Sequence, residues 1–381
     1  MAAFDNGGWS RLPQHILVSI FEYLPQNYRS KAAQACQLWN EAFQSPYLWK
    51  HFNFQFHIEK DQRYLECVHQ YSHNLKSVVI ELDQHEKTNR ENALKVLDLL
   101  TNSKDRKLSK IKLTFTGENP YFYAGKEFLT ALISLFKVPE DTKLTHIQDI
   151  DLGGITISID DTLLDVLSGH QPELQRLNIQ NKVLVSKITP EGVVRMLKKC
   201  RKLKELHLFY NSISEETLEV LMEPGRTPLE MLNLKCRRYE KYGKDIEDES
   251  WDTIRKKLPK FRVCLAFDHT CPLLRVTEIM KPSIPLSVLR LETFTYIYNE
   301  LRMAASYYHK TLEVLILHTP LSRNSAELNS ALIESAKRCQ RLRQIHVYCL
   351  LDEPTVKEIL KVRPELTKKP GGYTLKFRES D

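Results

Sequence analysis

"LKELHLFYN" (Leu203–Asn211) alternates apolar and polar side chains along its centre, and that alternation decides what kind of chain this is. In an extended segment successive side chains point to opposite faces. Leu206 and Leu208 therefore share one face, and Glu205, His207 and Phe209 share the other. The L-x-x-L-x-L pattern returns in "LQRLNIQN" from Leu174, "LEMLNLKC" from Leu229, "LSVLRLE" from Leu286, "LEVLILH" from Leu312 and "LRQIHVYC" from Leu342. First positions at 174, 203, 229, 286, 312 and 342 give steps of 29, 26, 57, 26 and 30 residues. The step of 57 holds two units, with "FRVCLAF" (Phe261–Phe267) as a degenerate strand between them. Weaker copies, "LKSVVI" from Leu75, "LSKIKL" from Leu108 and "IQDIDL" from Ile147, carry the pattern toward the N-terminus.

A period in this range is that of the leucine-rich repeat, one short strand and one helix per unit. The intervening segments have helical spacing to match. "TPEGVVRMLKKC" offers Thr189 as N-cap, Pro190 in the first turn and Val193, Val194 and Leu197 on one side. "SEETLEVLM", "SALIESAKRC" and "EPTVKEILKV" repeat the design. One unit cannot bury its own apolar face, so stacked units share a continuous core. Asn211 stands where a polar side chain satisfies the turn leaving the strand, and Cys236 and Cys349 fall near the equivalent site. Pro282 and Pro285 interrupt the approach to the strand at Leu286, and "TFTGENPYFYAG" (Thr114–Gly125) reads as a loop.

At 381 residues the chain exceeds one compact core, and its 42% hydrophobic and 27% charged content suits a soluble folded protein. No stretch of eighteen apolar residues, secretory signal or lipidation pattern is visible, so neither membrane insertion nor secretion is expected. We expect the cytoplasm, with the nucleus open. The eight cysteines never form C-x-x-C and look like buried thiols. The formal charge of +7 is densest at "MLKKCRKLKE" (Met196–Glu205) and "KCRRYEKYGK" (Lys235–Lys244), without aromatic interleaving, so nucleic acid is not the expected ligand. Phosphate-loop, nucleophile-elbow and H-E-x-x-H motifs are missing, and the expectation is a chain without catalytic residues or cofactor. Cys264, His269 and Cys271 lie close together, but no second cluster completes a metal site, so none is expected. Cys200 and Cys339 each stand three residues before an L-x-x-L strand, which argues for packing. Asp160–Asp161 and "DIEDE" (Asp245–Glu249) read as helix N-terminal charges or solvated loops.

The first fifty residues follow a different rule. In "WSRLPQHILVSIFEYLP" (Trp9–Pro25), Leu17, Ile20, Phe21 and Leu24 form a helical stripe that Ile16, Val18 and Tyr23 widen. Pro13 suits a first turn, and Pro25 forbids continuation. "RSKAAQACQLWNEAF" (Arg29–Phe43) reads as a second helical stretch with Ala32, Cys36, Trp39 and Phe43 on one side. Phe52, Phe54 and Phe56 then alternate as a first strand. So small a set of helices makes a poor core alone. Spacing leaves two readings open: a cap on the open end of the repeat array, or a surface that a partner covers.

The residues themselves resemble the F-box. Its Leu-Pro opening falls on Leu12 and Pro13, its apolar helix positions on Ile16, Leu17, Ile20, Phe21 and Leu24, its Cys and Trp on Cys36 and Trp39, and its closing Leu-Trp on Leu48 and Trp49. With the repeats, the chain resembles an F-box/leucine-rich-repeat protein. The expected fold is α/β: a three-helix F-box module over residues 1–50, then a leucine-rich-repeat solenoid over 51–381, with a curved parallel sheet inside and helices outside. The resemblance implies the substrate-recognition subunit of a Skp–cullin–F-box ubiquitin ligase. Leu12, Pro13, Ile16, Leu17, Ile20, Phe21, Leu24, Trp39, Leu48 and Trp49 would then serve the Skp-type adaptor, which sits on a cullin scaffold with its RING subunit. The outward strand face would hold an unidentified protein target for degradation, through Glu205, His207, Phe209, Met231, Lys235, Arg290, Val314, Ile316, His318, His346 and Tyr348. Phe209, Val314, Ile316 and Tyr348 are the expected anchors. Lys235, Arg290 and Arg176 are placed to meet an added phosphate. The tail, with "YTLKF", would cap the array or enter its concave space. A repeat scaffold that directs no degradation is the alternative, and a regulator that engages the adaptor without a target is a third reading.

Overall fold

The computed structural model describes residues 12–57, 64–118, 125–138, 145–183, 185–237, 245–292, 296–319, 325–368 and 370–377. Trp9, the middle of the loop expected at 114–125 and most of the basic stretch 235–244 lie outside them. The chain divides into two units, Met1–Ile157 and Ser158–Asp381.

The first unit opens with three short helices, α1 (Gln14–Tyr23), α2 (Gln26–Ala32) and α3 (Gln37–Phe43). There follow β1 (His51–Phe56), α4 (Tyr64–Tyr71), β2 (Ser77–Leu82), α5 (Lys87–Asn102), β3 (Lys110–Phe115), α6 (Lys126–Phe136) and β4 (Asp149–Gly154). The strands pair in parallel in chain order, with Phe52, Val78, Ile111 and Ile150 in register. All four are buried, as the alternation requires. The single helix expected over Arg29–Phe43 is two helices. Three-residue turns from Lys31 and Ala32 end α2, and Cys36 is fully extended (φ −164°, ψ 171°) as the N-cap of α3. That break turns Trp39 and Phe43 back onto α1.

The second unit runs α7 (Asp161–His170), β5 (Arg176–Asn178), α8 (Pro190–Lys199), β6 (Glu205–Phe209), α9 (Glu215–Leu221), β7 (Met231–Cys236) and α10 (Asp248–Lys257). It continues with β8 (Arg262–Phe267), α11 (Leu273–Ile279), β9 (Leu286–Glu292), α12 (Tyr298–Tyr307), β10 (Val314–His318), α13 (Ala326–Arg338), β11 (Gln344–Leu351), α14 (Glu353–Val362) and β12 (Tyr373–Phe377). The strands again lie side by side in chain order and parallel. One inward rung joins Leu208, Leu234, Leu265, Leu289, Leu315 and Ile345 across six strands, every side chain fully buried. Each contributes about 2 kcal/mol of apolar burial, and that ladder fixes the register.

Local chemistry ends each turn. Thr189 accepts the Gly192 N–H at 3.0 Å, Ser325 accepts Leu328 N–H at 3.2 Å, and Asp160 accepts Thr162 N–H at 3.1 Å, each at a helix N-terminus. Arginine side chains, Arg226 buried and Arg363 half-buried, take the opposite ends. Arg226 reaches the carbonyls of Leu197 and Val220, and Arg363 those of Ala336 and Cys339. Cys200 and Cys339 are buried at the ends of α8 and α13, and burial pushes each thiol up to about 11. Asn211 does not fill the turn after β6. The buried Ser212 does, donating to the Ile188 carbonyl at 3.0 Å while Asn211 stays half-exposed. In the first unit buried Gln84 has the corresponding role, its amide accepting from Gly117 N–H at 2.9 Å and donating to Gly117 O at 3.2 Å. The "YTLKF" segment joins β11 as β12, past a register shift between Val347 and Leu350.

Candidate functional sites

Two surfaces stand apart from this core. The first is built by α1–α3. Leu17 and Phe21, one turn apart on α1, are fully buried. The Phe21 ring meets Trp39 edge-on at 5.5 Å and Phe43 at 5.9 Å, and Phe43 meets Trp49 at 5.2 Å. Trp49 in turn stacks on Tyr71 at 4.2 Å and Phe52 at 5.6 Å, so one aromatic chain ties the helices to β1. The Trp49 indole donates to Phe43 O at 2.9 Å. Pro25 cannot continue α1, and Arg29 takes the freed end, its Nε donating to Leu24 O at 3.1 Å and its guanidinium also reaching Glu22 O.

Four expected adaptor contacts are corrected by this arrangement. Leu17, Phe21, Leu48 and Trp49 are interior residues, because the aromatic chain and the turn of α3 close over them. What stays open lies one residue round the helix. Ile16 is 40% exposed and Tyr23 89%, Pro13 is exposed, and Leu12, Val18, Ile20, Leu24 and Trp39 are half-buried. Tyr28 and Tyr47 are also half open to solvent, with Lys31 and Lys50 ammonium groups over their rings at 5.5 and 4.0 Å. The sequence reading missed these tyrosines. Their signal was three amphipathic rings within 25 residues on a module too small to bury them.

The second surface is the outward strand face of the second unit. Near its start the charges satisfy one another. Arg176 pairs with Glu205 at 3.2 Å, and His207 Nε2 lies 2.5 Å from the same carboxylate. Burial pushes that carboxyl up, but the hydrogen bond and charge of His207, with Arg176, hold it below the usual range. Gln180 reaches over β6, its amide donating to Leu208 O at 2.7 Å, Asn233 O at 2.7 Å and Asn233 Oδ1 at 3.0 Å. Arg237, just past β7, pairs with Asp268 at 2.8 Å and lies over the Phe209 ring at 4.7 Å.

Two expected target anchors are therefore corrected. Phe209 is 5% exposed because the Arg237 guanidinium covers it, and Val314 is 9% exposed between its register neighbours Val288 and Gln344. Met231, Glu205, His207, Lys235, Ile316, His318 and His346 are half-buried on the outward face, and Arg290 and Tyr348 are exposed. Tyr348 stacks on His318 at 4.1 Å. His346 approaches the Thr374 hydroxyl at 3.0 Å, and burial together with the charge of Arg290 lowers its proton affinity. A pocket of about 130 Å³ opens on this face, lined by Gln180, Asn233, Lys235, Ala266, Asp268, Arg290 and Glu292. That volume is well under the roughly 300 Å³ at which small-molecule pockets begin, so it suits a side chain better than a cofactor. Arg237 and Asp268 were not singled out from sequence, although both stand directly after a strand.

Among known proteins, the F-box-like family matches residues 9–55, the stretch that forms α1–α3 and most of β1. The N-terminal module is thus of the F-box class. Over its whole length the chain is 30% identical to bovine (Bos taurus) F-box/LRR-repeat protein 8 across 368 residues, 96% of this chain and 95% of that one. The human (Homo sapiens) F-box/LRR-repeat protein 8 is 29% identical over 370 residues, with the same shares covered. Mouse (Mus musculus) F-box/LRR-repeat protein 21 is 25% identical over 273 residues, 68% of this chain and 59% of that one. The chain belongs to the F-box/leucine-rich-repeat family.

Proposed function

We propose that this chain is the target-recognition subunit of a Skp–cullin–F-box ubiquitin ligase, working in the cytoplasm or nucleus. Residues 1–50 dock a Skp-type adaptor, and residues 51–381 hold a protein target. The observation that carries the reading is the split of α1 into two sides. Leu17 and Phe21 are closed inside the module, while Ile16, Ile20, Leu24 and the tyrosines keep an apolar surface that the rest of the module does not cover. Such a surface is a cost to a free protein and a gain to one that pairs. The adaptor would bring the cullin scaffold and its RING subunit. The chain itself does no chemistry. Holding a target lysine beside the charged conjugating enzyme raises its effective concentration, and that proximity is the whole contribution.

The test is capture of the adaptor by the full chain, wild type against a Leu12→Ala/Pro13→Ala double variant, with proteins retained from proteasome-inhibited cells quantified alongside. We expect the double variant to lose adaptor and cullin together while its thermal midpoint is unchanged. Equal capture by both chains would overturn the reading. Adaptor capture with no protein accumulating when the chain is depleted would instead favour the regulator without a target.

A further inference from the structure

At the pocket on the outward face, one charged side chain among the described residues is left unsatisfied by its surroundings. Asp268 is saturated: its Oδ1 accepts Thr270 N–H at 3.0 Å and the Thr270 hydroxyl at 2.6 Å, and its Oδ2 accepts Arg237 at 2.8 Å. Lys235 stands farther off, at 3.8 Å from the same oxygen. Glu292 is likewise engaged. Arg290 is exposed and has no hydrogen bond or ion pair among the described residues. The register explains why. Lys235, Ala266, Arg290, Ile316 and His346 lie on one row across β7–β11, and that row contains no carboxylate. Ala266 is its shortest side chain, and it sits between the two long cations. Two strand spacings put the backbones of Lys235 and Arg290 about 10 Å apart, with only a methyl group as the floor between them.

We infer that this trough is an oxyanion subsite, in which Lys235 and Arg290 clasp a carboxylate or phosphate group of the target over Ala266. The inference rests on the target-receptor reading above and gives the target segment a chemical character. Three observations converge on it. The four charged groups that line the pocket, Lys235, Arg290, Asp268 and Glu292, sum to zero, but Asp268 is already held by Arg237 and Glu292 is engaged, so the charge of Arg290 stays uncompensated. A guanidinium suits two-point recognition of either oxyanion. Lys235 carries a desolvation penalty to which the neighbouring Arg237 adds, lowering its proton affinity, and the negative charge of an incoming anion offsets both. The Gln180 amide, already tied to Asn233 and Leu208, keeps the adjoining wall rigid.

The experiment uses the full chain bound to its adaptor and four oriented peptide mixtures, each degenerate except for a central glutamate, phosphoserine, alanine or lysine. Retention is measured at low salt, and adaptor occupancy is read in the same samples. We expect the glutamate or phosphoserine mixture to be retained about tenfold above alanine, with lysine below alanine. Whichever acidic mixture binds better identifies the source of the oxyanion. Arg290→Ala removes an exposed, unpaired side chain and should cut the preference at least fivefold without moving the thermal midpoint. Ala266→Leu fills the floor and should do the same by steric exclusion while keeping both charges. Equal retention of all four mixtures by the wild type overturns the inference, and so does an acidic preference that survives both variants. Loss of adaptor from the wild type would instead strike the ligase reading, so the two failures are separable.

Discussion

Replacing Ile16 and Phe21 one at a time should separate the two sides of α1. Phe21 is fully enclosed, with Trp39 at 5.5 Å and Phe43 at 5.9 Å from its ring. Truncating a buried phenylalanine to alanine costs about 3–5 kcal/mol, and the two lost ring contacts put this site at the upper end. That is a large part of a domain stability of about 5–15 kcal/mol. Ile16 is 40% exposed and lies in the first turn of α1, where no acidic residue stands. Ile16→Asp therefore adds a negative charge where the helix dipole favours one, and stability should change by less than about 0.5 kcal/mol. Its cost appears on docking. Losing the isoleucine's burial and dehydrating a carboxylate remove about 3 kcal/mol, or roughly two orders of magnitude in affinity. Urea unfolding followed by tryptophan fluorescence, with surface-immobilised adaptor for affinity, measures both quantities. Phe21→Ala should shift the unfolding midpoint and Ile16→Asp should not. The docking logic is refuted if Ile16→Asp binds adaptor as the wild type does, or if Phe21→Ala leaves the midpoint in place.

Glycine-to-alanine within a helix ordinarily stabilises by up to about 1 kcal/mol, but Gly192→Ala should lower the thermal midpoint. A methyl group there would strike the Asp161 carboxylate, which accepts Thr189 N–H at 2.9 Å and the Thr189 hydroxyl at 2.6 Å and pairs with Arg195 at 3.5 Å. Arg237→Ala should cost about 2 kcal/mol in urea unfolding, since it leaves the buried Asp268 to Thr270 and Lys235 alone and uncovers Phe209. Because Asp268 is held below the usual carboxylate range, the pair's stabilisation is present at neutral pH and is lost as pH falls through that lowered value, so the variant's acid limb should be shallower. His346 acts with the same sign, in the histidine range: its folded form resists protonation, so the unfolded chain binds more protons and stability declines as pH drops through the ordinary histidine range. His346→Gln should flatten that decline, and Arg290→Ala should raise the His346 midpoint in an NMR titration of the full chain.

The strands were legible because their signal is a period of two laid over a repeat, and each L-x-x-L-x-L copy became a strand with its leucines inward. The cap at Thr189 was legible too, since a cap is decided within four residues. The failures all depend on contacts far apart in sequence. An i, i+3, i+4, i+7 stripe on α1 marks the apolar arc but not which part of it the module closes, and Trp39 from α3 makes that choice. Phe209 occupies an outward strand position, and only Arg237, 28 residues on, takes it out of solvent. The break between α2 and α3 was hidden because "AAQACQ" has acceptable helix propensity, and tertiary packing overrode it.

The same physics explains why the two proposed recognition surfaces are compatible with foldability. Stability in a repeat array comes from inward rungs such as Leu208–Ile345 and from contacts between successive helices, so the outward rows are largely free of structural duty. They are not equally free. Toward β5 and β6 the outward polar groups are consumed by one another, in Arg176–Glu205–His207 and Gln180–Asn233, which stiffens that part of the face and leaves it little to offer. From β9 to β11 the row changes character: Arg290 is unpaired, Ile316 is half-open, and Tyr348 is exposed but braced by His318. A face that offers both an aromatic held in one orientation and an uncompensated cation concentrates binding energy at low entropic cost. Target contact should therefore run from the trough between Lys235 and Arg290 to β11, with the satisfied network at β5 and β6 serving as its rigid shoulder.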